Sequence, residues 1–177
     1  MNLNEIKHGK NLPNEFNVII EIPMNSDPVK YEIDKKNGLL IVDRFINTSM
    51  HYPVNYGHIP KTLSLDKDCL DAMVICPFPL HIGSIINCRT LGMLNMIDDS
   101  GIDNKILSVP VDNICYNYLD IIEYTDLVNY EIIKIEHFFK HYKDAEKYKW
   151  TKIEGWSDSK SAKQEIINSV ERYKKSF

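Results

Sequence analysis

Asp66-Lys-Asp68-Cys-Leu-Asp71 and Asp98-Asp99-Ser-Gly-Ile-Asp103-Asn-Lys105 crowd carboxylates into two short stretches of this chain. Carboxylates gathered in low dielectric must be neutralised or protonated. Hard divalent cations are the usual neutraliser, and Mg²⁺ is held by a few carboxylates while its other positions stay with water and phosphate. A single acidic stretch is ordinarily a solvated loop. Two of them, with scattered Lys, Arg and Tyr, point to a site for a polyanion and its metals. Asp66 and Asp68 stand two apart, so an extended segment presents both on one side, and Asp71 can approach the same cation after a turn. Asp98 and Asp103 flank Gly101, where a loop can fold back. Lys30, Arg44, Lys105 and Lys143 can balance a highly charged anion, with Tyr52, Tyr56 and Tyr142 as neutral donors.

Other chemistries lack their parts. The seven glycines are all at least nine positions apart, so neither a P-loop nor a G-x-G-x-x-G turn exists and phosphate must be held by side chains. The loop from Asp66 is no EF-hand, having Asp71 at its sixth place and Pro77 at its twelfth. No G-x-S-x-G elbow occurs. His137 and His141 share a helix face at zinc-gripping spacing, but Phe138 stands where H-E-x-x-H needs Glu, which favours a surface or subunit interface. A net charge of −4 argues against a general nucleic-acid binder. Cys69, Cys76, Cys88 and Cys115 form no C-x-x-C pair and read as reduced, mostly buried thiols. No apolar run reaches the roughly 20 residues of a membrane span, and the first residues lack a leader pattern. A cytoplasmic protein is expected.

The elements that must position these residues read as β first and α last, one domain over residues 1–177 without repeats or linkers. Phe16–Ile22 alternates Val18, Ile20 and Ile22 against Ile19 and Glu21. Tyr31 and Ile33 alternate with Lys30, Glu32 and Asp34, and Asn37-Gly38 signals a type I′ hairpin into Leu39–Phe45. Ala72–Cys76, Ser84–Met96, Lys105–Val109 and Trp150–Trp156 are further strands. Val128, Ile132, Ile135, Phe139 and Tyr142 make a helical stripe with Thr125 as cap. Ile166, Ile167, Val170 and Tyr173 make a second, capped by a serine within 157–161. The class is α+β, mainly β, with a small barrel as the sheet form.

Taken in order, the motifs resemble the soluble family I inorganic pyrophosphatases of bacterial type. The likeness runs through Glu21-Ile-Pro with Lys30-Tyr-Glu32, then Val42-Asp-Arg44, Tyr52-Pro-Val-Asn-Tyr56-Gly, and Asp66-x-Asp68-x-x-Asp71. It continues through Asp98…Asp103-x-Lys105, His137-Phe-Phe-Lys-His141-Tyr142-Lys143 and Lys152-Ile-Glu-Gly-Trp156. The resemblance implies a five-stranded OB-type barrel with appended helices, the site at its mouth, and hydrolysis of pyrophosphate to two orthophosphates with several Mg²⁺. It implies that Asp66, Asp71 and Asp103 hold activating metals, and that Asp98 with Asp103 takes those arriving with substrate, near Glu21 and Asp99. Asp68 is the general base in that pattern. Lys30, Arg44, Tyr56, Tyr142 and Lys143 hold the phosphoryl groups, with Lys105, Glu32 and Tyr52 beside them. A homohexamer, a dimer of trimers with His137 and His141 near a subunit interface, is implied as well.

The chemistry agrees with the likeness: cations must screen pyrophosphate before a metal-activated water can attack in line, and positive side chains then absorb the leaving charge. Lys67 and Cys69 depart from the family loop, which carries a small or polar residue and then Pro at these places. An ammonium at Lys67 weakens Mg²⁺ binding if it points inward and does nothing if it snorkels outward, and a somewhat raised Mg²⁺ requirement is the expectation. Two other classes share part of the pattern: an OB-type nucleic-acid binder, which would interleave aromatics with basic residues, and a Mg²⁺-dependent hydrolase of nucleotides or longer polyphosphates.

Overall fold

The computed structural model describes residues 5–34 and 37–176. Its elements run β1 (Phe16–Ile22), β2 (Val29–Ile33), β3 (Leu40–Phe45), β4 (Asn55–Ile59), β5 (Leu70–Val74), β6 (Ile85–Asp98), β7 (Gly101–Ile102), β8 (Lys105–Pro110), α1 (Asn129–His141), β9 (Thr151–Asp158) and α2 (Ser159–Ser176). β1 pairs antiparallel with β4, and β4 with β5. β5 runs parallel to β8, β8 antiparallel to β6, and β6 returns to β1. These five strands close a ring of the OB type, and the mainly β, α+β expectation is met. β6 is long enough to pair also with β7 and β9. No helix among the described residues is long and apolar enough to cross a membrane.

Both faces of the ring are covered, because successive residues of a strand point to opposite sides. Ala72 and Val74 join Phe16, Val18, Ile20, Ile106 and, from α2, Ile166. Met73 and Leu107, next to them in sequence, join Tyr52, Ile135, Phe138 and Phe139, the last three from α1. Each fully buried Leu, Ile or Phe contributes about 1.5–3 kcal/mol. A bulge between Ile20 and Ile22 shifts Ile22 into the second cluster, the kind of irregularity that re-aims a neighbouring side chain. That neighbour is Glu21.

Several local expectations are corrected. Asn55–Ile59 is a ring strand that the sequence pattern does not announce, since Gly57 interrupts it. A Cβ there would lie 1.9 Å from the Ile19 carbonyl oxygen, so only glycine lets β1 and β4 approach. Thr125 does not cap α1. It lies in a short 3₁₀ turn whose capping box is made by Glu123 and Asp126, and Val128 stands at the α1 N-cap without a side-chain bond. At α2 the cap is Asp158 rather than a serine: its Oδ1 accepts the Ser161 N–H at 2.8 Å. The Ser159 N–H donates to Glu123 at 2.8 Å. The β2–β3 hairpin closes with the Asp34 N–H donating to the Leu39 carbonyl at 2.8 Å. The connection is therefore longer than a two-residue Asn37-Gly38 turn, and part of it, Lys35 and Lys36, lies outside the described residues. Of the four free thiols only Cys76 and Cys88 are buried; Cys69 and Cys115 are half-buried.

Candidate functional site

The ring and the β2–β3 hairpin line a cleft of about 270 Å³. All the residues proposed from the sequence for metal, substrate or proton transfer border it: Glu21, Lys30, Glu32, Arg44, Tyr52, Tyr56, Asp66, Asp68, Asp71, Asp98, Asp99, Asp103, Lys105, Tyr142 and Lys143. The sheet register explains the centre. Asp71 on β5 is the Cα partner of Lys105 on β8 and of His58 on β4, so the three side chains emerge on one face. Lys105 Nζ donates to Asp71 Oδ2 at 2.8 Å, to Asp103 at 2.9 and 3.0 Å, and to the Tyr56 hydroxyl at 2.9 Å. The Tyr56 hydroxyl in turn donates to Asp71. Burial alone would lower the Lys105 pKa, but Asp103 and Asp71 hold it well above the ordinary value.

A second cluster flanks the first. Lys143 Nζ reaches buried Asp98 at 2.7 Å and Asp99 at 3.3 Å. Lys30 pairs with Glu32 and, at 3.1 Å, with Asp43. Arg44 donates through Nη1 to Asp43 at 2.6 Å and through Nε to Glu146 at 3.2 Å. Burial raises the phenol pKa of Tyr52, Tyr56 and Tyr142, so all three remain protonated donors at neutral pH.

In the acidic loop the Asp68 N–H donates to Asp66 Oδ1 at 3.0 Å and the Cys69 N–H to Asp68 Oδ1 at 2.5 Å. Lys67 is exposed, does not line the cleft, and has φ 74°. Its ammonium is turned to solvent, which removes the reason to expect a raised Mg²⁺ requirement. What Lys67 does carry is left-handed backbone, costing about 1–2 kcal/mol for a residue with a Cβ. Glycine relieves that cost and loses roughly 0.5–1 kcal/mol to unfolded-state entropy. Lys67→Gly is therefore expected to gain about 0.5–1 kcal/mol in chemical denaturation and to leave the Mg²⁺ titration of activity where it is. A titration shifted severalfold to lower Mg²⁺ would restore the electrostatic account.

Among the described residues, eight carboxylates line the cleft against five cationic side chains, Lys30, Arg44, Lys105, Lys143 and Lys149. The shortfall of positive charge is felt at Asp66, whose pKa is pushed up to about 6 by burial and by Asp103, Asp71 and Asp68, against the opposing Asp68 N–H bond. As the side chains stand, no three carboxylate, imidazole or thiol groups among the described residues are gathered closely enough to hold a cation; Asp71 and Asp103 meet on Lys105 instead. An all-oxygen donor set with surplus negative charge still fits a hard divalent cation.

His58 and Lys149, which the sequence reading missed, also line the cleft. His58 follows Tyr56 by two, so reading β4 as a strand would have placed both on one face. Burial would lower the His58 pKa, but the charge and hydrogen bond of Glu21, with Asp71 and Asp68, raise it above the ordinary value. His137 and His141 lie away from the cleft on α1, ring centroids 5.0 Å apart, with His141 Nδ1 2.8 Å from Asp144.

The family profile of inorganic pyrophosphatase matches residues 18–174. The chain is 50% identical over 175 residues to the inorganic pyrophosphatase of Yersinia pestis, covering 99% of this chain and 100% of that one. It is also 50% identical over 174 residues to that of Escherichia coli K12, covering 98% and 99%. The solved structure of an inorganic pyrophosphatase from Coxiella burnetii superposes with a TM-score of 0.92 at 46% identity, over 95% of this chain and 99% of that one.

Proposed function

Because this chain belongs to the inorganic pyrophosphatase family, we propose that it hydrolyses pyrophosphate to two orthophosphates in its acidic cleft, with Mg²⁺ as cofactor. The observation that carries this reading is the surplus of carboxylate over cationic charge around the cleft. A bare polyanion would be repelled there, whereas one that shares cations with the carboxylates would be held. Asp66, Asp71 and Asp103 are the ligands proposed for activating cations, and Asp98 with Asp103 for those that come with substrate, Glu21 and Asp99 standing close by. When bound, Mg²⁺ neutralises phosphoryl oxygens and acidifies a water toward neutrality.

The chain's own groups do the rest. Lys30, Arg44 and Lys143 hold the two phosphoryl groups by charge, and the protonated phenols of Tyr56 and Tyr142 donate to their oxygens. Arg44 is oriented for this by Asp43 and Glu146. Lys105, Glu32 and Tyr52 stand behind these contacts; Lys105 in particular pairs with both Asp71 and Asp103 and opposes the burial that raises the Asp103 pKa. The Asp68 carboxylate takes the proton of the attacking water. The half-exposed His141 with Asp144 and the exposed His137 form a helix face suited to a second copy of the chain, in line with a homohexamer.

Phosphate release from pyrophosphate, measured with excess Mg²⁺ and with chelator, tests the reading. Rapid release with Mg²⁺, none with chelator, and little from ATP are expected. The half-saturating Mg²⁺ concentration should rise as pH falls through about 6, where Asp66 takes up a proton. Absence of release at every Mg²⁺ concentration, or release undiminished by chelator, would overturn it.

A further inference from the structure

Among the described residues His58 is the one imidazole in the cleft lining, and no step above uses it. Its side chain is 12% exposed, and Nδ1 lies 3.0 Å from Glu21 Oε1. The same carboxylate oxygen accepts the Ile33 N–H at 2.9 Å. Ile33 ends β2, in the hairpin that carries Lys30, Glu32 and Arg44. That hairpin is a two-stranded sheet separate from the ring, and Leu40, Ile41 and Val42 of β3 are exposed. A two-stranded ribbon is marginal by itself, so its seat over the cleft depends on contacts such as the Glu21 bond. Glu21 gives that support only while its carboxylate keeps one orientation. A charge-assisted bond from a buried ring nitrogen fixes it.

We infer that His58 is a positioning residue for pyrophosphate binding: by holding Glu21 against the Ile33 N–H, it keeps the β2–β3 hairpin, with Lys30 and Arg44, seated over the cleft. The inference rests on the reading of the cleft as the pyrophosphate site. Losing the clamp frees ground-state binding groups more than it disturbs the proton acceptor at Asp68, so KM moves more than kcat.

The test compares His58→Phe, His58→Gln and His58→Asn in the full-length protein. The Asn amide nitrogen overlays Nδ1, whereas the Gln amide nitrogen overlays Nε2. Phe and Gln should raise KM for pyrophosphate about tenfold at saturating Mg²⁺, change kcat less than about threefold, and speed amide hydrogen exchange in residues 29–45 but not in the ring. Asn should recover most of both properties. Unchanged KM and exchange in the Phe and Gln variants, or an Asn variant no better than Gln, overturns the inference. Should His58→Phe not fold, the Asn and Gln pair decides by the same readings. A wild-type protein that released no phosphate would sink the proposed function, and the exchange rates would still decide whether His58 clamps the hairpin.

Discussion

Asp68→Asn should cut phosphate release by about 10²–10⁴-fold at saturating Mg²⁺ and substrate, the range typical of a lost general base. The substitution is close to isosteric. Asp68 is exposed, so burial adds no further cost, and an amide oxygen can still accept the Cys69 N–H that Asp68 Oδ1 accepts at 2.5 Å. The Asp68 N–H to Asp66 bond is made by the main chain and survives. Denaturation should therefore change by no more than about 0.5 kcal/mol. On the proposed mechanism, what disappears is the group that takes the proton from water, and with it the acid limb of the pH profile of kcat. Loss of a cation ligand leaves a different signature, a shifted Mg²⁺ titration with activity recovered at high Mg²⁺. If the variant kept activity within about threefold of wild type, Asp68 would not be the proton acceptor, because general-base losses are far larger.

The acidic clusters were readable because their chemistry is local, with a turn glycine between Asp98 and Asp103. The extended segment expected for Asp66 and Asp68 is instead a turn, with Lys67 left-handed and the Asp68 N–H donating to Asp66. Of the ring strands, β1 was readable from alternation, and β5, β6 and β8 were named only as further strands, β8 being buried at every position. β4 was not. Its Gly57 is present for the close approach of β1, a tertiary demand that looks like a loop signal in one dimension, and with β4 unread His58 had no face to be assigned to. Thr125 failed as a cap for a related reason: Glu123 and Asp126 close their own turn first, so the chain enters α1 already directed. The cationic half of the site shows the clearest limit. Lys105 reads from sequence as an anion binder, and nothing local tells that a parallel β5–β8 pairing sets it against Asp71, 34 residues away. Lys67 is the reverse case. Its place between two aspartates suggested a charge acting on the site, but left-handed backbone leaves that side chain outside the cleft.

Lys105→Met should destabilise the cation-free protein by about 3–5 kcal/mol, the cost of breaking a buried ion pair from one side. Lys105 is 2% exposed and its ammonium lies 5.3 and 5.5 Å from the ring centroids of Tyr56 and Phe139. Met keeps most of the apolar stem and its packing, so the loss isolates the charge. Asp71 and Asp103, both bonded to that ammonium, would face each other at the floor of the cleft without their counter-ion. Burial and the neighbouring Asp71 charge already hold the Asp103 pKa above its ordinary value, with Lys105 opposing them, and loss of the ammonium would raise it further. The deficit is consequently full at pH above that raised value and shrinks as pH falls toward the unfolded range near 4. A divalent cation offers the missing charge by another route, and a ligand at about 100 times its Kd returns about 2.7 kcal/mol. Denaturation of wild type and variant, each with chelator at high and low pH and again with saturating Mg²⁺, separates these effects. The variant should regain more stability from Mg²⁺ and from acid than wild type does. Equal denaturation midpoints with chelator at high pH would mean that Lys105 does not neutralise the pair, and that the two carboxylates are relieved by water instead.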